Sequence, residues 1–257
     1  MIAQSPKDFG DLTGFSDESV RSSLTKAVDP HFETHGTTVL CLRYNEGVLT
    51  LADRRATAGN LIMYDQAEKI VALDDSTVVA ISGAFARSIE VCRFLKHSFK
   101  YYRRTVLHEM SLEGKLSEVS RALAGNAPMA MQGIGLFLPI VSAYDKKKDE
   151  FGVYFFDGAG ARFQNGSYAC AGSGSERIRG VFEYIARIKG RFETRPLEDV
   201  LADGLQMLDI AADLDSATGG FNKTLPVTRV LDRYGNREIP GDVLLAAAKV
   251  VLEAREA

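Results

Sequence analysis

The sequence predicts an α+β fold in four layers, an αββα sandwich of two antiparallel sheets flanked by helix pairs. Three observations carry this prediction. Strand-like runs fall into two groups, helix-like runs follow each group in pairs, and the strands are strongly apolar. A sheet covered by helices on one face still has a second apolar face, and packing two such sheets together buries both.

The elements follow in order along the chain. Residues 1–36 are polar, rich in Ser, Thr and Asp, with little hydrophobic periodicity; 16–26 could form a short helix capped by Ser16. This segment reads as an appendage. From Thr37 the pattern changes abruptly. Val39 to Leu42, a turn at Asn45-Glu46-Gly47, and Val48 to Ala52 read as a β-hairpin. Residues 69–73 and 77–82 are strand candidates joined by Asp74-Asp75-Ser76. Helical spacing of Ile89, Cys92, Phe94 and Leu95 predicts a helix over 86–103, and a second over 116–124 follows. Strand character returns over 134–144, 153–157 and 161–169, with Lys146-Lys147-Lys148-Asp149 as an exposed hairpin tip. Helices over 175–188 and 197–212, a strand over 227–231 and a helix over 241–254 complete the chain. There is no internal repeat, so the organisation is one domain over 37–257 with an extension over 1–36.

Composition narrows the function. Hydrophobic residues are 46% and charged residues 25%, the balance of an ordinary globular protein. A net charge of −3 offers no bulk attraction to nucleic acid or an anionic membrane. No apolar run approaches the ~20 residues that span a bilayer. The acidic, interrupted first thirty residues do not resemble a secretory signal. A cytoplasmic location is expected. Cys41, Cys92 and Cys170 are far apart in apolar contexts, which reads as buried, reduced thiols. His31, His35, His97 and His108 show no metal-ligand spacing.

The chemistry gathers around Gly36-Thr37, at the junction between the appendage and the first strand. Cleavage of that bond would leave threonine first, with its α-amine beside its own hydroxyl. An α-amine with a pKa of about 7.7–8.0 is a useful base near neutral pH, and a threonine activated in this way is a recognised nucleophile. Asp53 ends the second hairpin strand. Lys69 opens another apolar strand, where an ammonium is costly unless paired, and an Asp53–Lys69 pair would satisfy both. Gly83, at a strand-to-helix turn, could offer its N–H to an oxyanion. Each feature alone has a bland alternative: a strand start, a capped turn, an ordinary loop.

As an ordered set, Thr37-Thr38-Val39, Ala52-Asp53-Arg54-Arg55, Gly59-Asn60 and Lys69 resemble the active-site region of proteasome β subunits. Ala171-Gly172-Ser173-Gly174-Ser175 and Asp215-Ser216-Ala217-Thr218-Gly219-Gly220 resemble later motifs of the same family, and the likeness extends over 37–257. The run Asp215–Gly220 and the stretch Met129-Ala130-Met131-Gln132-Gly133 resemble the bacterial, actinobacterial type. The resemblance implies an N-terminal-nucleophile hydrolase, a threonine endopeptidase that removes residues 1–36 as a propeptide. It implies Thr37 as nucleophile, Asp53 and Lys69 as charged supports, and Gly83 as oxyanion donor. Ser173, Asp215 and Thr218 would orient the threonine amine. Ala56, Thr57, Ala67, Val71, Ile81 and Phe85 would line a mainly apolar pocket for the substrate side chain. No cofactor or metal is implied. The implied partners are sevenfold homomeric β rings stacked with α-subunit rings, a ring ATPase regulator and protein substrates. Other N-terminal-nucleophile hydrolases, and an inert ring subunit, are the competing readings.

Overall fold

The structure is a computed structural model describing residues 36–256, apart from 60, 133, 134 and 222. The helix expected over 16–26, and nearly all of the expected propeptide, lie outside the described residues, as do Asn60 and Gly133 of the quoted motifs.

Two five-stranded antiparallel sheets pack face to face. Sheet I has the order β10-β1-β2-β11-β12, from β1 (Thr38–Tyr44), β2 (Gly47–Ala52), β10 (Tyr168–Gly172), β11 (Val227–Asp232) and β12 (Gly235–Glu238). Sheet II has the order β5-β6-β7-β8-β9, from β5 (Ile70–Asp74), β6 (Thr77–Ala80), β7 (Ile140–Asp145), β8 (Glu150–Phe156) and β9 (Arg162–Asn165). A separate two-stranded hairpin pairs β3 (Ala56–Ala58) with β4 (Leu61–Tyr64).

The period-2 alternation of strand side chains builds the layers. In β1, Val39 and Cys41 face the second sheet, in a cluster with Val78, Ala80, Ile140 and Val153. Leu40, Leu42 and Tyr44 face outward, against α3 (Ser175–Lys189), α4 (Leu197–Leu214) and α5 (Gly241–Glu256). On the far side, Val79, Ile81, Val141 and Phe156 meet Val91, Cys92 and Leu95 of α1 (Phe85–Val106) and Leu116, Val119 and Leu123 of α2 (Leu112–Ala130). Three apolar clusters thus fill the three spaces between four layers, with a third helix on the sheet I side. All three cysteines are buried thiols, and desolvation raises Cys41 to about 11.

Several boundaries differ from those read in the sequence. The expected strand over 161–169 is two strands: β9 edges sheet II and β10 edges sheet I beside β1. Each sheet draws strands from both sequence groups, because β7–β9 extend the β5–β6 sheet while β10 and β11 flank the β1–β2 hairpin. Helix α2 begins at Leu112, where the Ser111 side chain accepts from Gly114 N–H, and continues past Gly125 and Pro128. Its last turn is tied down by Asn126, which donates to the Gly135 carbonyl (2.6 Å) and accepts from Arg87 (2.7 Å). Among the described residues no helix is long and apolar enough to cross a membrane.

Candidate active site

Antiparallel pairing brings distant residues to one end of the sandwich. The start of β1 lies beside the ends of β2 and β10, so Thr37, Asp53 and Ser173 cluster at the same edge of sheet I. From sheet II, Lys69 opens β5 and Gly83 follows β6. Asp215 caps the C-terminus of α4, donating its N–H to the Ala211 carbonyl.

Asp53 and Lys69 form the buried ion pair expected of them, Nζ to Oδ1 at 2.7 Å with neither side chain exposed. Two such charges are tolerable in an interior only when their remaining hydrogen-bonding capacity is met. The Lys69 ammonium has three protons and three acceptors: Asp53 Oδ1, the Gly36 carbonyl at 3.1 Å, and the Arg55 carbonyl. Asp53 Oδ1 also accepts from Thr38 N–H (2.7 Å), while Oδ2 accepts from the N–H groups of Arg55 and Gly219 (both 2.9 Å). Burial pulls the Lys69 pKa below its ordinary value, and the Asp53 carboxylate opposes that shift.

Thr37 stands directly over the bond that precedes it. Its Oγ1 donates to the Gly36 carbonyl oxygen at 2.6 Å, so the hydroxyl and the Lys69 ammonium converge on one carbonyl. Gly36 sits in a seat with no space for a side chain. A Cβ there would stand 2.3 Å from Thr57 Oγ1 and 2.8 Å from the Ala217 carbonyl oxygen. Gly172, with φ +98°, lets the backbones close together, because a Cβ on it would lie 1.9 Å from the Thr37 carbonyl oxygen.

A second network runs from Ser173 to β1. Asp215 Oδ2 accepts from Ser173 Oγ and from Thr218 Oγ1, each at 2.6 Å. Ser173 Oγ is also 3.4 Å from the Thr37 carbonyl oxygen. With the Thr218 proton given to the carboxylate, Thr38 Oγ1 must donate to Thr218 Oγ1 (2.6 Å), and it accepts from Gly174 N–H (3.1 Å). Thr38 was missed in the sequence, although strand alternation points the two threonines of the doublet in opposite directions. Arg55, which bonds both Asp53 and the 216–218 loop, was also missed as a site residue.

Gly83 adopts φ +101° and forms a bridge with Phe137. The bonds framing that bridge run from Leu138 N–H to Ser82 O and from Ala84 N–H to Leu136 O, so the Gly83 N–H points out of the pairing. Of the six expected pocket residues, Thr57 reaches Gly36. Ala56 and Ala67 are buried. Val71, Ile81 and Phe85 belong to the apolar layer beneath α1, with Ile81 wholly inside it. A cleft along α1, lined by Lys96, Phe99, Lys100 and Arg103, lies elsewhere and contains none of these residues.

A model of the proteasome subunit family matches residues 33–223. Proteasome subunit beta of Acidothermus cellulolyticus is 32% identical over 230 residues, covering 87% of this chain and 77% of the relative. That of Acidimicrobium ferrooxidans is 34% identical over 211 residues, covering 80% and 74%. That of Streptomyces griseus is 30% identical over 224 residues, covering 86% and 78%. The sandwich, the convergence at its edge and these matches agree: the chain belongs to the proteasome subunit family.

Proposed function

We propose that the chain is the catalytic β subunit of a bacterial proteasome core, a threonine endopeptidase that frees its own nucleophile by cutting Gly36–Thr37. One observation carries this reading: a hydroxyl and an ammonium meet at the carbonyl of the residue before Thr37. Thr37 Oγ attacks the Gly36 carbonyl carbon, and charge developing on the oxygen is stabilised by Lys69. The hydroxyl proton passes to the departing Thr37 nitrogen as the C–N bond breaks, and water hydrolyses the resulting ester.

In the mature site the Thr37 amine takes the hydroxyl proton during attack on a substrate peptide. The substrate oxyanion sits at the Gly83 N–H, the leaving amine regains a proton, and water releases the acyl group. Asp53 holds Lys69, while Ser173, Asp215 and Thr218 hold the ground around the amine. The protein works within a core assembled with other subunits. Sevenfold β rings between α rings, a ring ATPase regulator, protein substrates and a cytoplasmic location complete the proposal.

N-terminal sequencing and intact mass after co-expression with an α partner test it. A product beginning Thr37-Thr38-Val39 supports the reading; a full-length chain in an assembled particle means an inert subunit. In the same assay Gly36→Ala should slow processing at least about tenfold, since misplacing reacting atoms by about 1 Å can cost about 100-fold. Processing at the parental rate would show that the tight seat at Gly36 is irrelevant.

Of the apolar residues read as pocket lining, Val71 and Phe85 keep part of their surface exposed, while Ile81 is core and Ala56 and Ala67 are buried. Val71 and Phe85 favour peptides with an apolar side chain before the cut bond. A panel of fluorogenic peptides should rank apolar residues at least about tenfold above basic ones in kcat/KM, within the range set by hydrophobic pockets. A basic preference would sink the pocket assignment.

A further inference from the structure

We propose that Arg55 is a positioning residue of this site, clamping the 215–219 loop with its guanidinium while its carbonyl holds Lys69. The inference rests on the threonine-protease reading above. Arg55 lies two residues beyond Asp53, and its polar groups point in separate directions. Its N–H donates to Asp53 Oδ2 at 2.9 Å, and its carbonyl accepts from Lys69 Nζ. The guanidinium donates from Nε to Asp65 Oδ1 at 3.1 Å, and from Nη1 to the carbonyls of Ser216 (3.1 Å) and Thr218 (3.3 Å).

Those two carbonyls bracket Ala217, which walls the seat of Gly36. The same loop carries Asp215 and Thr218, and so fixes the acceptor of the Ser173 hydroxyl. Gly219 packs directly on the arginine, where an added Cβ would stand 3.0 Å from Arg55 Cβ. One residue therefore governs both halves of the site, the Lys69 ammonium through its main chain and the Asp215 network through its side chain. A lysine cannot replace it. Reaching a carboxylate and two carbonyls at once requires the planar fork of guanidinium nitrogens.

The neighbouring Arg54 supplies a control of the same chemistry. Its guanidinium reaches the Leu225 carbonyl (2.9 Å) and Glu68, and among the described residues it makes no hydrogen bond to Asp215 or its loop. The Arg55 side chain is 20% exposed, so water can serve the two loop carbonyls after substitution and the fold should survive. Catalysis depends on finer tolerances than folding does.

The test compares Arg55→Lys, Arg55→Gln and Arg54→Gln in full-length chains co-expressed with the α partner. Processed Thr37 is counted by intact mass, and kcat is expressed per processed chain. The expected result is assembled particles with parental thermal midpoints. Both Arg55 variants should lose ten- to a hundredfold in kcat, with KM within threefold, and self-cleavage should slow in parallel. An assembled particle that does not self-cleave counts as the same loss. Arg54→Gln should stay within threefold of the parent. The proposal is overturned if the Arg55 variants keep kcat within twofold, if Arg54→Gln loses as much, or if the Arg55 variants fail to assemble. Thr37→Ala in the same series separates the two readings: peptide hydrolysis by that variant would sink the protease assignment itself.

Discussion

Replacing Thr37 with alanine should leave a particle that assembles, retains residues 1–36 and hydrolyses no peptide. The Thr37 hydroxyl makes one side-chain hydrogen bond, to the Gly36 carbonyl oxygen at 2.6 Å. Losing a typical bond of that kind costs about 1 kcal/mol, too little to prevent folding. The same hydroxyl is the proposed nucleophile for self-cleavage and for turnover. Removing the nucleophile of a covalent hydrolase costs on the order of 10⁶-fold in kcat, below the floor of a peptide assay. Thr37→Ser keeps the hydroxyl and should retain measurable activity. Normal cleavage by the alanine variant, read by intact mass and peptide turnover, would remove the central assignment.

Lys69→Ala should abolish activity and also weaken the fold, which distinguishes it from the first variant. Truncation leaves Asp53 as an uncompensated charge in a site where neither partner is exposed. Breaking a buried pair from one side costs about 3–5 kcal/mol. At about 2–4 °C per kcal/mol for a domain of this size, the thermal midpoint should fall by about 10 °C. Combining Lys69→Met with Asp53→Asn removes both charges and should recover part of that loss without recovering turnover. A parental melting midpoint in Lys69→Ala would show that the pair contributes nothing to stability. Parental activity would show that the ammonium is no part of the chemistry.

The charged half of the site was legible because it broke a local rule. Lys69 at the mouth of an apolar strand needed an anion, Asp53 ended another such strand, and the structure joins them at 2.7 Å. The four layers were legible from the grouping of strands and helices. Membership of the sheets was not. Residues 161–169 carry one continuous strand signal, and only the tertiary pairing of β9 with β8 and of β10 with β1 divides it. The β3–β4 hairpin escaped notice because Leu61, Ile62, Met63 and Tyr64 are all exposed and show no alternation. Edge strand β12, Gly235–Glu238, is too polar to announce itself. Thr38, Arg55 and the close seat of Gly36 each depend on contacts with residues 216–218, which lie at least 161 positions away in sequence, and no local pattern encodes these.

Protein chain ends ordinarily fray, because the last few residues have few neighbours to hold them. The Gly36–Thr37 bond is not placed like an ordinary end. Strand β1 is interior to its sheet, with β10 registered on one side from Thr38↔Gly172 and β2 on the other from Val39↔Ala52. A cut at that bond would create a new amino terminus already laced into a ladder on both flanks. Its first residue would inherit the rigidity of a sheet interior, and the amine would have little freedom to wander from its hydroxyl. An enzyme that used its own first atom as a reagent would need such an anchorage, and under the proposed cleavage the topology would supply it before the bond was cut.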